Sequence, residues 1–158
     1  MASDDLGRRA SSYEQPPIHL EEVMSFSPYL FFVGNCREAM NTYQSVFGGE
    51  LNIVTAAEMP DAPEDAPADA VMHAALMLSN GGLLMASDDP SATEAGPKSG
   101  FSVSYSASDG DDAARVFEAL SKDGEVQLPI GPTSFSPAFG MCVDRFGIPW
   151  MVNTAQAQ

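Results

Sequence analysis

Residues 28–51 read PYLFFVGNCREAMNTYQSVFGGEL, an apolar run followed by a helix-like pattern. The run PYLFFV predicts a strand, because the turn residues Gly34-Asn35 bound it. Apolar side chains then recur three or four residues apart as far as Phe47, which indicates an amphipathic helix. Asn35 can cap the start of this helix, and Gly48-Gly49 ends it.

Three further strands follow this strand and helix. They are predicted at LNIVTAA (51–57), VMHAALMLS (71–79) and LLMAS (83–87), and the last two are joined by a tight turn at Asn80-Gly81-Gly82. Residues 58–70, EMPDAPEDAPADA, carry acids and prolines and no base, so they predict an exposed loop.

The same order of elements then occurs again. FSVSYSA (101–107) predicts a strand, Ser108 or Asp109 opens a helix, and three strands are predicted at 125–130, 139–143 and 149–154. Repeats of this size indicate two modules that bury one face together. We therefore predict an α+β domain at residues 25–156, with module one at 25–88, a linker at 89–100 and module two at 101–156. Residues 1–24 have no sustained period and predict a flexible N-terminal extension.

Composition argues against several classes of protein. The chain has 158 residues and a formal net charge of −15, with 22 acidic and 7 basic residues. This charge repels phosphate backbones, which argues against nucleic-acid binding. The apolar runs are too short for a membrane span, and the N-terminus lacks the apolar core of a signal peptide. Two cysteines are too few for a disulfide framework, so we expect a cytoplasmic protein.

Four motifs now suggest a family. They are PYLFF-x-GNC-x-EAM-x-x-Y-x-x-x-FGGEL (28–51), HA-x-L-x-L with GG-x-LM-x-SD (73–88), SGF-x-V-x-Y (99–105) and FGM-x-x-DRFG-x-PWM-x-N (139–153). Together they resemble the PhnB-like branch of the vicinal oxygen chelate superfamily, which includes glyoxalase I, bleomycin- and fosfomycin-resistance proteins and extradiol dioxygenases. The resemblance implies paired βαβββ modules, a cupped mixed sheet with helices on its outer face, and a homodimer. It implies no activity, since fold does not fix chemistry.

The resemblance also locates the positions of the superfamily's metal ligands. In its metalloenzymes the ligands come from the first and fourth strands of each module. Those positions fall here at Pro28, at Met85, at Phe101 or Ser102, and at Met151. Hard and borderline divalent ions take imidazole or carboxylate ligands, whereas methionine suits copper(I). We therefore expect no metal at this site and no cofactor.

His73 is the main candidate for chemistry. Strand alternation places it opposite a uniformly apolar face of residues 71–79, so we expect it to face the cupped side. An imidazole titrates near neutrality, so His73 is a candidate general base or ligand anchor, with Glu58 or Asp88 as the partner acid. The alternative is a hydrogen-bonded histidine at the pocket rim, with the two carboxylates as solvated loop charges.

The rest of the predicted pocket is apolar, apart from a row of hydroxyls. Serines alternate with larger residues along 101–107, and none lies in a nucleophile elbow. Methionine adapts to varied ligands, although core packing and a solvated strand face are the alternatives for these residues. The predicted pocket residues are Met85, Ser102, Ser104, Phe135, Met141, Trp150 and Met151.

These features predict a homodimeric small-molecule-binding protein of the PhnB-like type, without the metal of its superfamily. Two alternatives stay open. One is a glyoxalase-like lyase or isomerase, with His73 and either Glu58 or Asp88 as acid and base. The other is an interaction module that uses the acidic loop. The sequence does not decide whether the chain is an enzyme, which ligand it takes, or whether the dimer pairs its modules within or between chains.

Overall fold

The strand–helix–three-strand order occurs twice along the chain. A computed structural model describes residues 26–96 and 98–154, so the predicted extension at 1–24 lies outside the described residues. The first module contains β1 (Tyr29–Phe32), α1 (Cys36–Phe47), β2 (Glu50–Thr55), a 3-10 turn (Ala56–Glu58), β3 (Val71–Met77) and β4 (Leu83–Asp88). The second contains β5 (Val103–Ala107), α2 (Gly110–Ser121), β6 (Glu125–Gly131), β7 (Phe139–Val143) and β8 (Pro149–Thr154). The predicted α+β fold of two βαβββ modules is confirmed.

Each module forms its own four-stranded mixed sheet. The strand orders are β1-β4-β3-β2 and β5-β8-β7-β6. The first and last strands of each module pair in parallel, and the other pairs are antiparallel. In place of one continuous cupped sheet, a single chain therefore has two sheets within its described part, and β1 and β5 are edge strands.

The two helices lie between the sheets and share one hydrophobic core. The ring of Phe32 in β1 meets Phe146 of the second module edge-on, with centroids 6.4 Å apart. Phe47 in α1 contacts Tyr105 in β5, with centroids 4.9 Å apart. Because each sheet turns one face toward this helix layer, its other face points away from it. We call these outward surfaces the open faces of the two sheets.

The two helices begin in different ways. The Asp109 side chain accepts a hydrogen bond from the Asp112 N–H, so α2 is capped by one of the two predicted residues. Asn35 occupies the predicted N-cap position of α1 and its carbonyl accepts the Ala39 N–H, but its side chain makes no capping hydrogen bond. Instead, the Cys36 N–H donates to Oδ1 of Asp88 at 3.0 Å. Parallel pairing of β1 with β4 brings this carboxylate to the helix start, where a negative charge is favourable.

In the described ranges, neither helix is long and apolar enough to cross a membrane.

Candidate functional site

His73 lies on the open face of the first sheet. Its neighbours in the strand, Ala74 and Leu76, alternate with it and are buried under the helix layer. The Tyr29 hydroxyl oxygen is 3.2 Å from Nδ1 of His73. Tyr29 lies in β1, so its side chain crosses β4 to reach β3. Phe31 extends this surface, with its ring 5.1 Å from that of Tyr29. We call Tyr29, Phe31 and His73 the aromatic patch.

Glu58 is hydrogen-bonded within its own turn. Its carboxylate accepts the backbone N–H and the hydroxyl proton of Thr55, both at 2.8 Å. These two bonds hold the pKa of Glu58 below its usual value, because they stabilise the charged form. The carboxylate therefore caps the 3-10 turn that follows β2.

Asp88 is a buried carboxylate that joins three elements. Its Oδ1 accepts the Cys36 N–H at the start of α1, and its Oδ2 accepts the Val71 N–H at the start of β3, each at 3.0 Å. Both oxygens thus satisfy backbone donors that would otherwise be buried without a partner. Among the described residues neither Asp88 nor Glu58 hydrogen-bonds His73, whose side-chain partner is Tyr29.

Tyr29 was not among the site residues predicted from the sequence. Period-two alternation along PYLFF places Tyr29 and Phe31 on one face, and this was a signal available from the sequence. It could not show which face is open or which strands lie side by side. Tyr29 and His73 are 44 residues apart in the chain and on non-adjacent strands, so only the sheet order brings them together.

The inward positions of the first strands lie one to three residues after those expected. Pro28 precedes β1, and Phe101 and Ser102 precede β5. The side chains on the open faces are instead Tyr29 in β1 and Ser104 in β5. Residue 29 lies opposite Met85 of β4, and residue 104 lies opposite Met151 of β8. In both modules, therefore, the open-face residue of the first strand lies opposite a methionine of the last strand.

These four positions carry a phenol, a hydroxyl and two thioethers. Hard and borderline divalent ions prefer imidazole and carboxylate, which are missing from the set. Within residues 26–96 and 98–154, no three histidine, cysteine, aspartate or glutamate side chains are grouped closely enough to hold a metal ion. The side chains present do not fit the divalent metal of the superfamily.

The other predicted pocket residues belong mostly to the second sheet. Met141 lies opposite Met151 in the β7–β8 pair, on the same open face as Ser104. Phe135 precedes β7 and packs against Phe139, with ring centroids 5.0 Å apart. We call Ser104, Met141 and Met151 the second half-site, and Met85 together with the aromatic patch the first half-site.

Trp150 faces the opposite way from its neighbour Met151. It is 2% exposed and lies on the helix side of β8. Its Nε1 donates to Oδ2 of Asp144 at 2.8 Å. Trp150 borders a small cleft of about 270 Å³ between the β3–β4 hairpin and β5, which Ser104 also lines. This volume is just below the usual range of ligand pockets, about 300–1,000 Å³.

Within residues 26–96 and 98–154, one chain does not bring the two half-sites together. The first half-site lies on the open face of the first sheet and the second on that of the other sheet, with the helix layer between them. Each half-site exposes large apolar side chains or lies beside them: Phe31 is 56% exposed and Phe135 is 57% exposed. In the described part of one chain, the two half-sites therefore lie on two separate surfaces.

Asp144 explains the most specific of the sequence motifs. Its Oδ2 accepts the Tyr43 hydroxyl and the Trp150 Nε1–H, and its Oδ1 accepts the N–H groups of Phe146 and Ile148. The segment DRFG-x-PW is thus a turn arranged around one buried carboxylate. The role of this motif in the described structure is architectural.

The paired βαβββ modules define a glyoxalase-like domain of the vicinal oxygen chelate superfamily. A family model described as "3-demethylubiquinone-9 3-methyltransferase" matches residues 24–153. The chain belongs to this family, which is the PhnB-like branch of the superfamily.

Individual relatives agree with this assignment. The chain is 30% identical to Protein YjdN of Escherichia coli (strain K12) over 146 residues, which cover 85% of this chain and 98% of that protein. The crystal structure of PA1353 from Pseudomonas aeruginosa is similar at a TM-score of 0.73 and 39% identity, covering 84% of this chain and all of that one. The PhnB protein from Bacillus cereus is similar at a TM-score of 0.67 and 28% identity, covering 83% and 99% of the two chains. A glyoxylase/bleomycin resistance protein/dioxygenase domain from Frankia, at 14% identity and a TM-score of 0.60, shares the fold.

Proposed function

We propose that this protein binds a small, partly apolar molecule on the open faces of its two sheets and does so without a divalent metal or other cofactor. The observation that carries the proposal is the set of side chains at the four inward positions: Tyr29, Met85, Ser104 and Met151. Methionine and aromatic side chains adapt to the shape of an apolar ligand. They offer no ligand set for a hard or borderline ion.

The complete pocket in this proposal belongs to a homodimer. The first half-site of one copy faces the second half-site of another copy, with β1 of the first copy beside β5 of the second. Two observations support this arrangement: β1 and β5 are edge strands, as β2 and β6 also are, and the open face beside β1 exposes Tyr29 and Phe31. An unpaired edge next to apolar side chains favours strand pairing with a second chain.

An acid–base enzyme has less support. Glu58 is bonded to Thr55 and Asp88 to two backbone N–H groups, so each predicted partner acid has another role. The methyl transfer named in the family description is not carried over, because nothing in the described residues points to a site for a methyl donor. We place the protein in the cytoplasm, since both cysteines are free and buried, as suits a reducing compartment. The net charge of −15 disfavours nucleic-acid partners.

The binding proposal is tested with 8-anilinonaphthalene-1-sulfonate, a fluorescent aromatic probe. Met85→Glu and Met151→Glu each place a charge on one half-site and should weaken probe binding by at least about tenfold, which is about 1.4 kcal/mol. The matched control is Met59→Glu, in the loop after the 3-10 turn, which should leave the affinity unchanged. Equal weakening by all three variants would contradict the proposal.

The metal-free part of the proposal is tested on the same purified protein. Elemental analysis should find no stoichiometric transition metal, and a chelator should not change probe affinity. One equivalent of transition metal per chain, or binding that a chelator abolishes, would overturn this part.

The dimer is tested by sedimentation equilibrium. Phe31→Glu should raise the dimer dissociation constant by at least about tenfold, because a carboxylate would be buried in an apolar interface. Val126→Glu is the control, since Val126 is similarly exposed, 48% against 56%, but lies on β6, the edge strand of the second sheet that the proposed interface leaves outside. A wild-type protein that is monomeric at micromolar concentration would overturn the proposal.

A further inference from the structure

The contact between Tyr29 and His73 decides what the histidine can offer to a ligand. A neutral imidazole carries one proton, and its two nitrogens are therefore a donor and an acceptor. The nitrogen that hydrogen-bonds within the protein determines which nitrogen carries the proton. Here Nδ1 faces the Tyr29 hydroxyl at 3.2 Å, whereas Nε2 has no hydrogen-bond partner in residues 26–96 and 98–154.

Chemistry favours one direction for this hydrogen bond. A phenol hydroxyl is a strong neutral donor, and the unprotonated imidazole nitrogen is a better acceptor than a phenol oxygen. In the reverse arrangement, Nδ1–H would donate to the phenol and leave Nε2 unprotonated. The phenol proton would then have no protein partner in the described part of the chain, where Tyr29 makes its only side-chain hydrogen bond with His73.

We propose that Tyr29 is a positioning residue that holds neutral His73 as its Nε2–H tautomer, so that His73 presents a hydrogen-bond donor to the first half-site. Protonation of the ring adds a proton at Nδ1 and leaves the Nε2–H in place, so the donor is present in both charge states. A nitrogen that already carries a proton cannot abstract one. The same contact therefore removes Nε2 as a general base.

This assignment also defines the chemistry of the ligand. The group that meets Nε2 is an acceptor oxygen, such as that of a carbonyl, carboxylate or sulfonate. The adjoining part of the ligand is apolar and flat enough to lie on the exposed ring of Phe31. The ligand chemistry depends on the proposed function, whereas the tautomer of His73 does not.

The test is long-range ¹H–¹⁵N correlation spectroscopy of the imidazole rings under conditions where they are neutral. The chain has two histidines, His19 and His73, so the spectrum of His73→Gln identifies the signals of His73. Wild-type His73 should show a protonated Nε2 and an unprotonated Nδ1. Tyr29→Phe should shift the tautomer ratio toward that of the same histidine in urea-unfolded protein.

Tyr105→Phe is the matched control. It removes another strand hydroxyl, one that bonds Asp112 at 3.1 Å, and should leave the His73 signals unchanged. A predominant Nδ1–H tautomer in the wild type would overturn the proposal, and so would an unchanged ratio in Tyr29→Phe. If the probe fails to bind to the open faces, the proposed function is contradicted. The tautomer measurement still tests whether Tyr29 sets the protonation of His73.

Discussion

The Tyr43 hydroxyl in α1 donates a hydrogen bond of 2.5 Å to Oδ2 of Asp144, in the turn between β7 and β8. The bond joins residues 101 positions apart and connects the two modules through their shared core. Burial, reinforced by the adjacent Asp144 charge, raises the pKa of Tyr43 far above its usual value, so the phenol stays protonated. Tyr43 is therefore a permanent donor to a buried carboxylate.

Tyr43→Phe should lower the free energy of unfolding by about 1.5–3 kcal/mol, the usual contribution of a hydrogen bond to a charged group. The ring and its contacts with Trp150 and Phe146 are kept, so the loss reports the hydroxyl alone. Urea denaturation followed by circular dichroism measures it. The control is Tyr105→Phe, whose hydroxyl bonds the partly exposed carboxylate of Asp112 and should cost less. Equal losses of stability in the two variants would contradict the expectation that the buried hydrogen bond between Tyr43 and Asp144 contributes more than the one between Tyr105 and Asp112.

Asp88→Asn should destabilise the fold by about 1–3 kcal/mol, because one of two buried backbone N–H groups would face an amide NH₂. The affected donor is that of Cys36 or Val71, depending on how the amide is oriented. Asp89→Asn is the control, since this neighbouring carboxylate is partly exposed and, among the described side chains, bonds Ser91 in its own turn. Urea denaturation compares the two. An unchanged stability in Asp88→Asn would reopen a chemical role for Asp88.

The two buried thiols predict a loss of stability at high pH. Burial raises the pKa of Cys36 from 9.0 to about 12, and that of Cys142 from 9.0 to about 11. The unfolded chain therefore loses these protons at lower pH than the folded chain. The contribution is complete below the unfolded pKa of 9.0 and is lost as the pH rises through the folded values.

Urea midpoints measured across this pH range should fall more steeply for the wild type than for the Cys36→Ala/Cys142→Ala double variant. The variant removes both titrating groups and leaves the other side chains in place, so the difference in slope isolates the thiols. Parallel pH profiles for the two proteins would show that the thiols do not carry this dependence.

Local features of the fold could be predicted, and long-range relations could not. The bounds of α1 agree with the prediction because apolar spacing and Gly48 are local signals. The cap of α1 was missed because Asp88 reaches it from 52 residues away through strand pairing. Alternation separates Met151 from Trp150, yet it does not say which of them lies under the helices. The division of the pocket into two half-sites depends on how the modules pack, which no local pattern encodes.

Glu58 offers a direct test of whether a predicted catalytic acid is instead a turn cap. Its hydrogen bonds from Thr55 hold its pKa below the ordinary value of 4.5, so the carboxylate should titrate lower in the folded protein than in urea. A lowered carboxyl pKa contributes stability that is present above the unfolded pKa and lost as the pH falls through the folded pKa. Carbon-detected NMR of the Glu58 carboxyl measures both midpoints.

Thr55→Val keeps the backbone N–H donor and removes the hydroxyl, so the folded midpoint of Glu58 should rise only part of the way to the unfolded one. Glu58→Gln should leave the affinity for the fluorescent probe unchanged, because the carboxylate faces Thr55 and not the first half-site. A folded midpoint above the unfolded one would mean that Glu58 is held as an acid. In that case the lyase or isomerase hypothesis would regain its proton donor.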